Sequence, residues 1–174
     1  MTESNKKYQV IYADPPWRYS FSKSKNRKVE NQYETMTIKD ICALDIPAED
    51  NCVLYMWATA PKLIEAMMVI KAWGFEYKTH AVWDKEILGM GYWFRGQHEL
   101  LMVAVRGKFS PPAPSMRVSS VMRERRTKHS RKPTFVRDMI AKWFPCERKL
   151  EMFARSRGYG WDVWGKEAPS GRGG

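Results

Sequence analysis

The residues best placed to do chemistry are Asp14-Pro15-Pro16-Trp17. Two consecutive prolines stiffen the backbone and remove two N–H donors, which leaves the carbonyls of Asp14 and Pro15 free to accept hydrogen bonds. A carboxylate and an adjacent carbonyl held rigidly make a pair of acceptors, and an exocyclic amino group has two hydrogens to offer them. Trp17 adds a flat face on which a base can stack, an interaction worth roughly 1–3 kcal/mol. The N6 amine of adenine is a poor nucleophile because its lone pair is delocalised into the ring. Accepting hydrogen bonds from both N–H groups draws that nitrogen toward tetrahedral geometry and localises the lone pair. It also stabilises the positive charge that grows as a methyl group arrives. The bland alternative is a turn carrying a buried tryptophan.

Which reading holds depends on where the elements place the motif. Residues 8–13 predict a strand that stops at Asp14-Pro15-Pro16, which neither strand nor helix continues. The motif then sits at the carboxyl end of the first strand, the edge where parallel α/β sheets bind ligands. Residues 52–57 are a continuous apolar run, as expected of a strand covered on both faces. Pro61 opens a helix that Gly74 closes, with Leu63, Ile64, Met67 and Met68 on its apolar face. Residues 77–83 and 100–105 read as strands, the second ended by Gly107. Pro133 opens a helix in which Phe135, Val136, Met139, Ile140 and Trp143 share one face, and Pro145 ends it. Residues 150–153 and 161–164 close the chain as short strands. This alternation predicts an α/β fold, a mainly parallel sheet with helices on both faces.

The 174 residues carry 30 Lys plus Arg against 19 Asp plus Glu, a net charge of +11, which points to nucleic acid as the partner. Twelve of the 30 basic residues fall in two segments, 18–35 and 110–132, that fit no element. They read either as solvated surface or as clamps that grip phosphates. An apolar content of 44% excludes a disordered chain. No apolar run approaches the roughly 20 residues of a membrane span. The polar N-terminus has no signal-peptide core. Cys42, Cys52 and Cys146 are odd in number and widely spaced, and His80, His98 and His129 are scattered, so the expectation is a reduced, cytoplasmic protein without a metal. A single domain over residues 1–174 is expected, ordered over 8–167, with flexible ends at 1–7 and 168–174.

Beyond the tetrapeptide, an ordered set of motifs resembles the MT-A70 family of S-adenosylmethionine-dependent adenine-N6 methyltransferases. The set includes Tyr33-Glu34-Thr35-Met36, Asp45-Ile46-Pro47, Leu54-Tyr55-Met56-Trp57 and Trp73-Gly74-Phe75. It continues with Trp83 and Lys85, Gly91-Tyr92-Trp93-Phe94-Arg95 leading to Glu99, and Ser130-Arg131-Lys132-Pro133. Glu151-Met152-Phe153-Ala154-Arg155 and the stretch from Gly160-Trp161 to Gly165 close it.

The resemblance implies a Rossmann-like methyltransferase fold with Asp14, Pro15, Pro16 and Trp17 as the catalytic motif. It puts Tyr33, Trp83 and Glu99 in the acceptor-adenine pocket. It gives Lys132 the carboxylate of S-adenosylmethionine, and Phe153, Arg155, Arg157 and Gly158 the rest of that cofactor. Lys166 and Glu167 fall where the family has Asn followed by Glu or Gln, so one ribose contact differs. The compact form is similar to bacterial or phage members and favours DNA as substrate. The same chemistry on RNA is the alternative, and a non-catalytic nucleic-acid-binding scaffold is a second. A homodimer is compatible with the sequence.

Overall fold

A computed structural model describes residues 6–19, 35–127 and 131–165. Among them, seven strands form one sheet in the order β5-β3-β4-β2-β1-β6-β7. β1 (Tyr8–Ala13) and β2 (Ala48–Ala58) are its centre, parallel, with Val10 facing Val53 and Ala13 facing Met56. β6 (Lys149–Met152) runs parallel to β1 on its other side, and β7 (Asp162–Trp164) parallel to β6. On the far side, β4 (His98–Arg106) lies antiparallel between β2 and β3 (Glu76–Asp84), and β5 (Val121–Arg123) follows parallel to β3. The sheet is mainly parallel, as the sequence predicts, and β4 alone among the described strands is reversed. The reversal arises because the 85–97 connection turns straight back as a hairpin instead of crossing over through a helix. As a result the start of β4 shares a sheet edge with the ends of β1, β2 and β3.

Alternating side chains of β1 and β2 feed two cores. Ile11, Ala13, Leu54 and Met56 pack with α1 (Ile38–Cys42) and α2 (Leu63–Ala72) on one face. Val10, Tyr12, Val53, Tyr55 and Trp57 pack with α3 (Thr134–Trp143) on the other. α3 buries Val136 and Ile140, with Phe135, Met139 and Trp143 partly covered beside them, so its predicted face is the observed one.

α2 corrects the sequence reading. Leu63, Ile64, Met67 and Met68 face outward, Ile64 at 75% exposure, while Ala66, Val69 and Ile70 are buried. The helix carries two apolar stripes, and periodicity cannot choose between them. Small Ala66 allows close approach to the sheet, and the Trp73 indole N–H donates to the Ile41 carbonyl at 2.8 Å, which fixes the rotation. Gly74, at φ +77°, then turns the chain where a side chain would be strained.

Further differences come from short elements. α1 has five residues, started by the Thr37 hydroxyl accepting the Asp40 N–H, and β5 has three, of which only Met122 is buried. Neither is long enough to set up a period, and β5 lies inside the basic segment 110–132 that predicted no element. Lys6, expected to be loose, pairs with Asp162 at 2.5 Å. Most of the other basic segment, 20–34, lies outside the described residues.

The two stripes of α2 separate by mutation. Ile70→Ala is expected to cost about 2–5 kcal/mol of stability and Ile64→Ala under about 0.5 kcal/mol, read as urea midpoints. Equal losses would contradict the observed rotation of the helix.

Candidate active site

β1 ends at Ala13, and the next four residues leave the sheet in a fixed path. The Trp17 N–H donates to the Pro15 carbonyl at 2.8 Å, and the Met36 N–H to the Pro16 carbonyl at 2.9 Å. Trp17 is only 5% exposed. Its indole N–H donates to the Trp57 carbonyl at 3.1 Å, and the Trp57 indole N–H in turn donates to the Tyr12 hydroxyl at 2.6 Å. Two expectations change accordingly. The Pro15 carbonyl, read as free, already holds one hydrogen bond, and the Trp17 ring, read as a stacking platform, is largely taken up by the core.

A second carboxylate at this edge is that of Glu99, at the start of β4. The β2–β4 register sets Ala58 opposite Leu100, which carries Glu99 just past the end of β2 and toward Asp14. Lys132, two residues ahead of α3, lies between the two acids. Its ammonium is 3.0 Å from Asp14 Oδ1 and 3.1 Å from Glu99 Oε2. The other Glu99 oxygen is 3.4 Å from the Lys85 ammonium. Two carboxylates and two ammonium groups thus alternate in a row, with the Lys132 nitrogen 5.8 Å from the Trp57 ring centre.

Burial raises the Asp14 pKa, aided by the Glu99 charge and opposed by Lys132. For Lys132, burial works against the charged form, but Asp14 and Glu99 outweigh it and the pKa is raised. Asp14 keeps 26% of its side chain exposed, so its carboxylate faces an opening rather than sealed core. A carboxyl whose folded-state pKa exceeds its unfolded value binds its proton more tightly when folded. Stability contributed by Asp14 therefore declines as pH rises through that window.

The opening is a cleft partly open to solvent. Of the sequence-predicted residues, Asp14, Pro15, Pro16, Trp17, Glu99, Lys132 and Arg155 line it. Trp83 does not line it. Its ring meets Trp57 edge-on at 5.9 Å and its N–H donates to the Glu124 carbonyl at 2.8 Å, so it backs the wall. Phe153, at φ +60° after β6, packs edge-on against Trp164 at 5.4 Å and is also outside the lining. Gly158 backs onto Arg137, whose guanidinium binds Glu151 at 2.8 Å, and Arg157 is exposed beside it. Tyr33, Lys166 and Glu167 lie outside the described residues.

Sequence reasoning missed Tyr19 and Thr59, whose hydroxyls meet at 2.8 Å on the cleft wall, and gave Lys85 no role. A lysine two residues past Trp83 was part of the motif set, but only the fold of β3 back onto β4 brings it to Glu99. Among the described residues, no cluster of three or more His, Cys, Asp or Glu side chains could hold a metal ion, and no helix is long and apolar enough to cross a membrane.

The MT-A70 family model matches residues 8–167. The chain is also 39% identical to the Type II methyltransferase M.MunI of a Mycoplasma species, over 96% of the chain and 80% of that protein. The chain belongs to the MT-A70 family. Its relatives include the human N(6)-adenosine-methyltransferase catalytic subunit METTL3, 27% identical over 86% of the chain and 26% of METTL3. A Drosophila N(6)-adenosine-methyltransferase MT-A70-like protein is 27% identical over 86% of the chain and 24% of its own length. The chain thus spans about a quarter of these eukaryotic MT-A70 proteins and most of M.MunI. As an MT-A70 protein it is a methyltransferase with a Rossmann-like mixed sheet.

The charge row is open to direct measurement. Carbon NMR of labelled aspartate is expected to place the Asp14 titration above the ordinary aspartate range, and Lys132→Met to move it higher still. A downward move in that variant would mean that Lys132 does not stabilise the Asp14 carboxylate.

Proposed function

We propose that this chain moves a methyl group from S-adenosylmethionine to the N6 nitrogen of adenine in DNA. One observation carries the reading. A protonated nitrogen, that of Lys132, sits 3.0 and 3.1 Å from two acids at the sheet edge beside Pro15-Pro16. A site that holds an ammonium between carboxylates is already suited to the charge that grows on an aromatic amine during methylation.

The cofactor fits the residues present. Lys132 and Arg155 bring two cations to the cleft that holds Asp14, a donor set suited to an amino-acid carboxylate. When bound, S-adenosylmethionine supplies an electrophilic methyl on a positive sulfur, which keeps the electron pair of the broken bond. Asp14 accepts an N–H of the incoming amine, and the remaining lone pair of the Pro15 carbonyl on the cleft wall accepts the second. Lys132, held by Glu99, would with Arg155 hold the cofactor carboxylate. Once the new N–C bond has formed, the N6 nitrogen is positive and its proton leaves by way of Asp14 to solvent. A base inside a duplex cannot reach a cleft of this kind while stacked, so it enters turned out of the helix or from a single strand.

DNA is favoured over RNA by the breadth of the match to the Type II methyltransferase M.MunI, 80% of whose length the chain covers. The net charge of +11 supports a polyanionic partner, and the protein would act in the cytoplasm.

Labelled-methyl transfer to matched single-stranded DNA, duplex DNA and RNA, followed by nucleoside analysis, tests this directly. N6-methyladenine is expected in a DNA pool. Its appearance in RNA alone would replace the substrate, and cofactor binding without transfer to any pool would favour the scaffold. Asp14→Ala is expected to lower transfer at least about a hundredfold with the fold retained by circular dichroism. Near-normal turnover would refute the role given to Asp14. Affinity for DNA is expected to fall steeply between roughly 50 and 200 mM salt. A flat response would remove the phosphate contacts assigned to the basic segments.

A further inference from the structure

The hairpin between β3 and β4 ends in three consecutive aromatic residues that cover nothing. Tyr92, Trp93 and Phe94 are 93%, 95% and 88% exposed, and Met90 beside them 83%. Leaving so much apolar area in water is costly, and single exposed apolar residues are ordinary whereas a contiguous cluster marks a contact surface.

The tip is not a loose tether. The Gly89 N–H donates to the Gly96 carbonyl at 2.7 Å, the Gly96 N–H to the Met90 carbonyl at 3.2 Å, and the Arg95 guanidinium to the Gly89 carbonyl at 3.1 Å. A Cβ at Gly91 would collide with the Phe94 carbonyl oxygen, so the turn is tight enough to require glycine there. At its root the Lys85 N–H donates to the Gln97 carbonyl at 2.8 Å, and the Gln97 amide to Asp84 at 2.8 Å. The same Lys85 pairs with Glu99 on the cleft. A closed, braced turn with a bare aromatic tip therefore rises from the edge that carries Asp14.

The surroundings choose the partner. Arg95 is at the tip. At the root, the exposed Arg123 pairs with Asp84 at 3.7 Å, and the Arg126 N–H donates to the Lys85 carbonyl at 3.1 Å with the exposed Arg125 beside it. Four arginines against Asp84, Glu86 and Glu124 leave the rim net positive on a chain of net charge +11, which favours phosphates as the partner. Flat rings on a rigid turn that rises from such a rim suit insertion between base pairs.

The geometry points to the Tyr92-Trp93-Phe94 tip as a wedge that enters duplex DNA beside the target adenine and fills the stack while that base occupies the cleft. This rests on the reading of the cleft as a base-methylating site. No bond is made or broken by the wedge. It lowers the cost of leaving a gap in the stack by putting a ring there.

The test uses the full chain at fixed salt and two fluorescein-labelled probes. One is a duplex of mixed sequence, and the other is the same duplex with one adenine replaced by an abasic site. The wild-type protein is expected to bind the abasic duplex about tenfold more tightly, because the gap receives the ring without unstacking a base. Trp93→Ala is expected to remove most of that preference and Trp93→Phe to keep it. Since Trp93 covers no core, neither variant should alter folding, which the melting temperature checks. Equal wild-type affinity for both probes overturns the wedge, as does a preference that survives Trp93→Ala. Loss of an oligomer in Trp93→Ala with probe binding unchanged overturns it too, in favour of a protein contact. Nucleoside analysis of the same protein separates this from the reading it rests on. N6-methyladenine without an abasic preference sinks the wedge alone, and an abasic preference without any methylated nucleoside sinks the methylation reading alone.

Discussion

The contact on which the site depends is one ammonium between two carboxylates, Lys132 between Asp14 and Glu99. Charges taken from water are costly, and such a group is tolerated only when its partners are held in place, since removing one strands the others. Each of the three comes from a different segment. Asp14 leaves the central strand β1, Glu99 begins the reversed strand β4, and Lys132 precedes α3. The register between β2 and β4 and the docking of α3 through Val136 and Ile140 are therefore conditions on the charge row as well as on the core.

A second constraint acts beneath it. The role proposed for Asp14 requires a carboxylate that does not drift, and Asp14 is followed by a backbone pinned at Pro15, Pro16 and Trp17. The hydrogen bonds from Trp17 to the Trp57 carbonyl, and from Trp57 to the Tyr12 hydroxyl, tie that segment to both central strands. Large aromatic side chains with a single polar atom suit this task, since they fill the core and still satisfy a buried main-chain group. The tryptophan of the tetrapeptide is thus mainly a fastener, and the carboxylate is the group that meets the cleft.

Much of this was legible from sequence where the pattern was long or the residue type unusual. Residues 8–13 and the α3 face over 134–143 have strong apolar periods, and two prolines after an aspartate mark a stop whatever surrounds them. The α2 face was misread because both stripes are apolar, and a bond from Trp73 to a distant carbonyl decides between them. Trp83 was read as a pocket residue, whereas the β3–β4 pairing turns it behind Trp57. Lys132 and Glu99 were each singled out for separate partners. Their contact with each other lies at the meeting of β4 with α3, a separation that no local pattern encodes.

The reversal of β4 has an architectural consequence. In a crossover connection, any added residue must be absorbed between two strands that start and finish at opposite edges. The β3–β4 connection begins and ends at the same edge, and its roots are fastened at Asp84, Lys85 and Gln97. Residues inserted beyond those roots would change neither strand order nor register, and the entropy of a longer loop grows only slowly. The fold therefore keeps its charge row and its exchangeable surface on separate parts of the chain. Residues 88 to 96 can change in length or type without touching a single side chain of the charge row.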